Sequence, residues 1–134
     1  MADNLELEVA TPERELVREL VSEVQVPGKN GYMGILPGHA PLITELSAGE
    51  LSYRQGGNTH CFVVAWGFAE VLPDRVTILA ETAEPANEID VNRAQADKKH
   101  AEQSLADGKS EEDFVKAGGE LKYADARLEV ALKK

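Results

Sequence analysis

Asp90 and Arg93 are the side chains whose types and spacing best suit chemistry in this sequence. They lie within the run Ile89-Asp90-Val91-Asn92-Arg93-Ala94. The guanidinium of Arg93 offers a fork of N–H donors that fits a phosphate, and the carboxylate of Asp90 accepts from polar hydrogens. The same spacing is also that of an ordinary helix start, where Asp90 caps the first turn and pairs with Arg93. Both interpretations require a helix that begins close to residue 90.

The spacing of the other polar residues does not indicate a catalytic or metal site. The sequence has no glycine-rich phosphate loop, no Ser-His-Asp arrangement and no paired carboxylates. Its histidines, His39, His60 and His100, lie far apart without the spacing of metal ligands. Cys61 is the single cysteine, which excludes an internal disulfide, and no basic cluster surrounds it. We therefore expect a small buried hydrophobe at this position rather than a catalytic thiol.

The composition indicates one small domain with an appendage. The chain has 134 residues, of which 43% are apolar and 5% aromatic, so its core must be mostly aliphatic. A net charge of −10 disfavours nonspecific binding to nucleic acid or to an anionic lipid surface. No apolar run approaches the ~20 residues that a membrane span needs, and no leader pattern is visible. We expect a protein of the cytoplasm or of the cytoplasmic face of a membrane.

The first part of the chain, residues 1–86, carries the pattern of short β-strands. Strand patterns cover residues 5–9, 20–26, 51–53, 59–66, 68–72 and 76–80. Gln55-Gly56-Gly57-Asn58 predicts a hairpin turn, and Pro73-Asp74-Arg75 predicts a second turn. Short strands at this spacing are typical of a β-sandwich or flattened barrel.

Residues 31–42 predict a shaped loop rather than a generic linker. The run is Gly-Tyr-Met-Gly-Ile-Leu-Pro-Gly-His-Ala-Pro-Leu, in which four turn-forming residues are threaded with apolar ones. Glycine permits positive φ and proline fixes φ near −65°, so this run specifies a conformation. Because Ile35, Leu36 and Leu42 are apolar, we expect the loop to pack on something.

The second part, residues 87–134, carries the pattern of an antiparallel pair of helices. The first helix is predicted over residues 88–106 and the second from Glu111 to Leu132, with Ser110 as the cap of the second. The predicted seam between them consists of Phe114, Ala117, Leu121, Ala124, Leu128 and Ala131, facing Ala94, Ala101 and Leu105. Such a thin, alanine-rich seam buries little area. We therefore expect a marginally stable hairpin that can open and dock elsewhere.

Three motifs, in this order and spacing, resemble the epsilon subunit of F-type ATP synthases of the bacterial or plastid type. The first is Gly-Ile-Leu-Pro-Gly-His-Ala-Pro-Leu at residues 34–42, and it is highly specific. The second is Trp-Gly-Phe-Ala-Glu-Val at residues 66–71. The third is the run from Ile89 to Ala94, which matches the family pattern Ile/Leu-Asp-x-x-Arg-Ala. The resemblance covers the whole chain and implies an α+β fold, a flattened β-sandwich followed by a helical hairpin.

The resemblance also implies a function. Epsilon is a non-catalytic subunit of the rotor's central stalk that helps couple proton-driven rotation of the c ring to ATP synthesis. Residues 1–86 would bind the gamma subunit and the c ring, so contact with the membrane is only indirect. Residues 87–134 would be regulatory, extending toward the alpha and beta subunits to inhibit ATP hydrolysis. The expected location is peripheral, on the cytoplasmic face of the cell inner membrane, or on the stromal face of a thylakoid.

Two sets of site residues follow from the resemblance. Contact with the c ring is expected from Tyr32, Met33 and His39. No cofactor is required, but ATP is a candidate regulatory ligand, since some bacterial members bind it on the folded hairpin. Its expected contacts are Ile89, Asp90, Arg93, Ala94 and Arg127. Where ATP-binding members carry further arginines, this sequence has His100 and Tyr123, so we expect weaker binding of ATP.

A rival interpretation is a small ATP-sensing module that acts outside the synthase. The run from Ile89 to Ala94 alone would permit it, whereas a free sensor would not need the loop at residues 31–42. An enzyme has no support beyond scattered polar residues.

Overall fold

The computed structural model describes residues 4–133, so the predicted domain limits at residues 1 and 134 lie outside it. The elements are β1 (Leu5–Ala10), β2 (Glu15–Val21), β3 (Glu23–Gly28), β4 (Gly31–Ile35), β5 (Leu42–Glu45), β6 (Gly49–Gln55), β7 (Asn58–Leu72), β8 (Arg75–Pro85), a 3₁₀ turn (Ala86–Glu88), α1 (Val91–Asp107) and α2 (Glu111–Ala131). The predicted fold class, a sandwich followed by a helical hairpin, is confirmed.

One continuous sheet with the order β2-β1-β8-β7-β6-β3-β4 folds over to make the sandwich. The long strand β7 pairs with β8 along most of its length. On its other edge it pairs first with β6 and then, past residue 67, with β5. β1 runs parallel to β8, and all other pairs are antiparallel. The inward side chains form an aliphatic core whose fully buried members include Leu5, Leu7, Val9, Val24, Ile35, Leu51, Val64, Val71 and Ile78.

The switch of partners along β7 occurs at Trp66 and Gly67, which both have a left-handed backbone. Their φ angles are 57° and 116°. A Cβ atom on residue 67 would lie 2.0 Å from the carbonyl oxygen of Leu79, so this position requires glycine. The sequence motif at residues 66–71 therefore marks the point where the strand kinks.

Several strand predictions were too simple. The pattern over residues 20–26 is two strands, because the chain turns at Ser22 between β2 and β3. Leu20 is consequently 62% exposed, and its neighbour Val21 is in the core. The predicted loop at residues 31–42 begins with a further strand, β4, which pairs with β3, and it ends at the first residue of β5, which pairs with β7. The two predicted turns, at Gly56-Gly57 and Pro73-Asp74, are confirmed.

α1 begins at Val91, three residues after the predicted start, with Asp90 as its cap, and α2 begins at Glu111 after the Ser110 cap, as predicted. The Asp90 carboxylate accepts from the Arg93 N–H at 3.0 Å, and the Ser110 hydroxyl accepts from the Asp113 N–H at 3.1 Å. The seam between α1 and α2 buries four alanines, Ala94, Ala101, Ala117 and Ala124, whereas Ala131, also predicted there, belongs to the cluster between α2 and the sandwich. The prediction was wrong for Phe114, which is 45% exposed because its ring lies over Gly108 in the turn.

α2 docks on the sandwich through a second, smaller apolar cluster. Its buried members are Val63, Ala86, Ile89, Ala126, Val130 and Ala131. Two lysines add polar contacts, Lys122 to the Ser47 hydroxyl and Lys133 to the Glu50 carboxylate, both at 2.5 Å.

Within residues 4–133, neither helix has the length and apolar character to cross a membrane.

Candidate functional site

A polar cluster joins the hairpin to the sandwich, and Arg127 is at its centre. The Arg127 side chain is only 9% exposed. Its Nη2 donates to Glu84 Oε2 at 3.2 Å, and its Nη1 donates to Asp97 Oδ2 at 3.3 Å. Its Nε lies 2.8 Å from Glu84 Oε1, although the buried N–H is not aligned with that oxygen, so this contact is ionic. Arg127 therefore ties α2 to both β8 and α1.

Tyr123, one turn before Arg127, completes this cluster, which we call the joint (Thr82, Glu84, Asp97, Tyr123 and Arg127). Its hydroxyl donates to Glu84 Oε1 at 2.8 Å and lies 2.5 Å from the Thr82 hydroxyl. The Arg127 guanidinium lies 5.5 Å from the centre of the tyrosine ring, within cation–π distance. Burial, with the Glu84 carboxylate adding to it, raises the pKa of Tyr123 to about 12. At neutral pH it is therefore a neutral donor.

The residues predicted to bind ATP occupy different environments. Ile89 and Ala94 are buried in the docked hairpin and Asp90 is used as a helix cap. Arg93 is exposed and has no ion-pair partner among residues 4–133. For Arg127, two carboxylates of the chain itself supply the negative charge that a phosphate would bring.

A cavity of about 240 Å³ lies beside the joint. His100 and Tyr123 both line it, together with Trp66, Asp97, Glu120 and Ala124. Two of these residues are carboxylates, which repel phosphate. Binding of ATP stays a prediction, and Arg93 is the expected contact that has no ion-pair partner in the described part of the chain.

The sequence did not point to Glu84 or Asp97. Both are ordinary acidic residues on β8 and α1, and only the docking of α2 brings them to Arg127. An arginine within the apolar repeat of α2 was the available signal, because a buried guanidinium needs an acidic partner.

The loop predicted to contact the c ring has a fixed shape. The Gly38 N–H donates to the Pro73 carbonyl at 2.7 Å, and the His39 N–H donates to the Leu36 carbonyl at 3.2 Å. These bonds hold residues 36–41 against the turn between β7 and β8, and Leu36 at the start of the loop is exposed. A shaped, exposed loop suits contact with another protein.

Tyr32 and Met33 precede this loop on β4 and point in opposite directions. Tyr32 is exposed, and its hydroxyl accepts from the Glu50 N–H at 3.2 Å. Met33 packs partly against the sandwich core, so much of its side chain is used internally. The contact of Tyr32, Met33 and His39 with a c ring stays a prediction.

A strip of large apolar side chains lies on the outer face of the sheet. We call Ile43, Phe68 and Leu79 the outer strip; they are 68%, 54% and 56% exposed. Phe68 and Leu79 are direct cross-strand neighbours, and Ile43 on β5 is diagonal to Phe68. Their chain neighbours Ala69 and Ile78 are in the core. β7 and β8 thus carry apolar residues on both faces, which is how the sequence could have indicated the strip.

Cys61 is half-buried beneath the end of α2, as the sequence predicts for a packing residue. Burial raises the pKa of its thiol, and the nearby Glu50 carboxylate adds to this. The group is therefore protonated at neutral pH and is a poor nucleophile. Among residues 4–133 no three His, Cys, Asp or Glu side chains are placed to hold a metal ion.

Comparison with known proteins places these features in a family. Residues 4–86 match the model of the ATP synthase delta/epsilon chain beta-sandwich domain, and residues 87–131 match that of its long alpha-helix domain. The ATP synthase epsilon chain of Solibacter usitatus is 51% identical over 134 residues, covering all of both chains. That of Koribacter versatilis is 63% identical over 105 residues, covering 78% of this chain and 74% of the relative.

Solved structures agree. A chain of the Euglena gracilis mitochondrial ATP synthase, from a cryo-EM structure of OSCP/F1/c-ring, superposes with a TM-score of 0.84 at 25% identity, covering 98% of this chain and 83% of that one. A chain of the Tetrahymena thermophila central stalk and c-ring shares the fold, with a TM-score of 0.71 at 16% identity, covering 95% and 96%. The protein belongs to the ATP synthase delta/epsilon chain family, as an epsilon subunit of the F-type enzyme.

Proposed function

We propose that this chain is a non-catalytic subunit of the central stalk that couples rotation of the c ring to ATP synthesis, with the outer strip as its contact with the gamma subunit. The exposed strip is the observation that carries the assignment of this face. Large apolar side chains that are contiguous on a soluble surface mark a contact with another protein. The three residues are exposed while the hairpin is docked, so gamma and the hairpin can be bound at the same time.

The surroundings of the strip fit a protein interface. Glu45 is the cross-strand neighbour of Phe68, Glu70 is that of Ile43, and Arg75 is the first residue of β8. All three are exposed. An apolar centre with a charged rim is the usual arrangement of such a contact. The pairing of Phe68 with Leu79 supplies the central apolar surface.

The loop at residues 36–41 is the proposed contact with the c ring. Its backbone is held by Pro73, and His39 presents a polar side chain beside the exposed Leu36. Contact with the ring would hold the subunit at the membrane only indirectly, as a peripheral protein on the cytoplasmic or stromal face.

For the hairpin we propose a regulatory role in which it leaves the sandwich, extends toward the alpha and beta subunits and inhibits ATP hydrolysis. The alanine seam and the small docking cluster support this role, because little apolar area must be exposed to open it. If ATP regulates the hairpin, it binds weakly, since Arg127 is already paired with Glu84 and Asp97.

Binding to gamma tests the central assignment. Phe68→Asp should weaken binding of the full chain to the isolated gamma subunit by at least about 100-fold, since a charge replaces a central apolar contact. Val115→Asp is the matched control, because Val115 is an exposed apolar residue on α2. Unchanged affinity of Phe68→Asp would contradict the assignment of this face.

The proposed ATP site has its own test. Isothermal titration with millimolar Mg-free ATP should give weak heat that Arg93→Ala abolishes. Absence of any heat from the wild type would remove ATP as a regulator while leaving the stalk assignment intact. Clear ATP turnover by the isolated chain, lost in Arg93→Ala, would contradict the non-catalytic role.

A further inference from the structure

The kink of β7 gives Trp66 an unfavourable backbone conformation, and the sandwich itself does not explain why a tryptophan occupies this position. Its φ of 57° is left-handed, a region that bulky aromatic residues rarely adopt. The next residue, Gly67, has positive φ without strain because it lacks a Cβ atom. Trp66 belongs to neither buried apolar cluster of the described residues, and its ring is only half-buried. A glycine would satisfy the kink at lower cost.

The tryptophan ring lies against the hairpin. Its centre is 5.6 Å from that of the Tyr123 ring, at an interplanar angle of 48°. This is a favourable distance for an aromatic pair. On α2 it also faces Gly119, where an added Cβ atom would be 3.8 Å from the ring. Gly119 is one turn before Tyr123, so the ring spans a full turn of the helix.

Tyr123 is itself held from three sides. Its hydroxyl contacts Thr82 and Glu84 on β8, its ring carries the Arg127 guanidinium, and Trp66 packs beside it. The same tyrosine therefore links the apolar contact from β7 to the ionic contacts from β8. An aromatic ring locked by hydrogen bonds is a rigid surface on which to stack.

We propose that Trp66 is a positioning residue for the hairpin: the sandwich holds it in a strained conformation because its ring, stacked on Tyr123, anchors α2. Residues kept in sparsely populated backbone regions persist where the surroundings over-determine them and often mark functional sites. The backbone strain destabilises the sandwich, whereas the contact between the rings stabilises the docked hairpin. Substitution of Trp66 should therefore affect the two parts differently. This inference rests on the proposed ability of the hairpin to open.

Two substitutions separate the ring from the strain. Trp66→Ala removes the ring and keeps a residue with a Cβ atom at positive φ, whereas Trp66→Gly removes both. In hydrogen exchange of the full chain, both variants should speed exchange of α1 and α2 amides about tenfold, the loss of one aromatic contact. In Trp66→Gly the sandwich amides should exchange about two- to fivefold more slowly than in Trp66→Ala, since the left-handed strain is gone.

A double-mutant cycle with Tyr123→Ala tests whether the two rings act together. Trp66→Ala should have a much smaller effect on hairpin exchange when Tyr123 is already alanine. Tyr123→Phe keeps the ring but loses the hydroxyl, so Trp66→Ala should keep most of its effect in that background.

The proposal would be overturned if hairpin exchange were unchanged in both Trp66 variants. It would also be overturned if sandwich and hairpin amides accelerated equally, because Trp66 would then be an ordinary packing residue. Opening of the hairpin is tested separately, by hydrogen exchange of the wild-type chain. If the α1 and α2 amides of the wild type exchange only as fast as its sandwich amides, the proposed mobility of the hairpin is wrong. Faster hairpin exchange in the Trp66 variants would still support the anchor.

Discussion

The sandwich and the hairpin of this chain are held together by different kinds of contact. The sandwich has a core of fully buried leucine, isoleucine and valine side chains. The seam of the hairpin is made of alanines, and its attachment to the sandwich relies on a small apolar cluster and the polar joint around Arg127. Each buried aliphatic side chain contributes about 1.5–3 kcal/mol, well above what an alanine methyl provides.

This difference shows how one short chain can combine a rigid part with a separable one. Large aliphatic side chains make the sandwich fold or unfold as a whole. Small side chains let α1 and α2 approach closely. They bury little apolar area, so little stabilising free energy is lost when the pair of helices leaves the sandwich. The specific polar contacts of the joint then fix where the hairpin docks, while contributing less to global stability.

The largest effect should come from a cavity in the sandwich. Ile78 is fully buried, so Ile78→Ala should lower the free energy of unfolding by about 2–5 kcal/mol. Urea denaturation followed by circular dichroism measures this. Ile43→Ala, on the exposed outer strip, is the control and should change stability by less than about 0.5 kcal/mol. Similar losses in both variants would contradict the assignment of the core.

Overpacking the seam should affect the hairpin alone. Ala101 is fully buried between the helices, so Ala101→Leu should destabilise the docked pair by about 1–3 kcal/mol. Exchange of α1 and α2 amides should accelerate, while the urea midpoint of the sandwich stays constant. Ala106→Leu, at an exposed position of α1, provides the control. A shift in the sandwich midpoint would show that the two parts unfold together.

Removing one charge of the joint should have a moderate effect. Glu84→Gln leaves Arg127 with Asp97 as its remaining carboxylate. The expected loss is about 1–3 kcal/mol of docking free energy, below the cost in a dry interior because Glu84 stays 25% exposed. Glu88→Gln breaks a surface pair with Arg14 and should cost at most about 0.5 kcal/mol. Hydrogen exchange of the α1 and α2 amides, measured in both variants, compares these two losses.

Alkaline pH should weaken docking through Tyr123. Its folded pKa of about 12 lies above the ordinary value of 10.0. The folded state therefore keeps the Tyr123 proton to a higher pH than the unfolded state does. The contribution of Tyr123 to docking is intact below pH 10 and is lost as the pH rises toward 12. Absorbance at 295 nm follows the titration, and hairpin exchange follows docking. Tyr123→Phe should remove this part of the pH dependence, and persistence of the full dependence would contradict the assignment.

The smallest effect should be a gain in stability. Gly118 lies within α2, and beyond its chain neighbours and the adjacent helix backbone an added Cβ atom would have no atom within 4 Å. Gly118→Ala should stabilise the helix by about 0.5–1 kcal/mol and slow exchange of its amides. Faster exchange would mean that α2 needs the glycine to bend.

The local features of this fold could be predicted from the sequence, because they depend on neighbouring residues. The caps at Asp90 and Ser110 and the turn at Gly56-Gly57 are of this kind. The split between β2 and β3 could not be predicted, since alternation of apolar residues does not show where a strand ends and the chain changes pairing partners. Nor could the parallel pairing of β1 with β8, which joins the two ends of the sandwich.

The joint illustrates the same limit for the candidate site. The sequence pointed to Arg127 and to the start of α1, but its interpretation paired the arginine with an external phosphate. Glu84 and Asp97 lie 43 and 30 residues away from Arg127 in sequence. Only the docking of α2 makes them its partners, and no local pattern carries that information.

Hydrogen exchange of the wild-type chain, resolved along the sequence, tests most directly whether the hairpin is separable. After correction for intrinsic rates, amides of α1 and α2 should exchange at least about tenfold faster than those of β7 and β8, which corresponds to about 1.4 kcal/mol. Equal protection of the helices and the strands would contradict the account, because the two parts would then open only together.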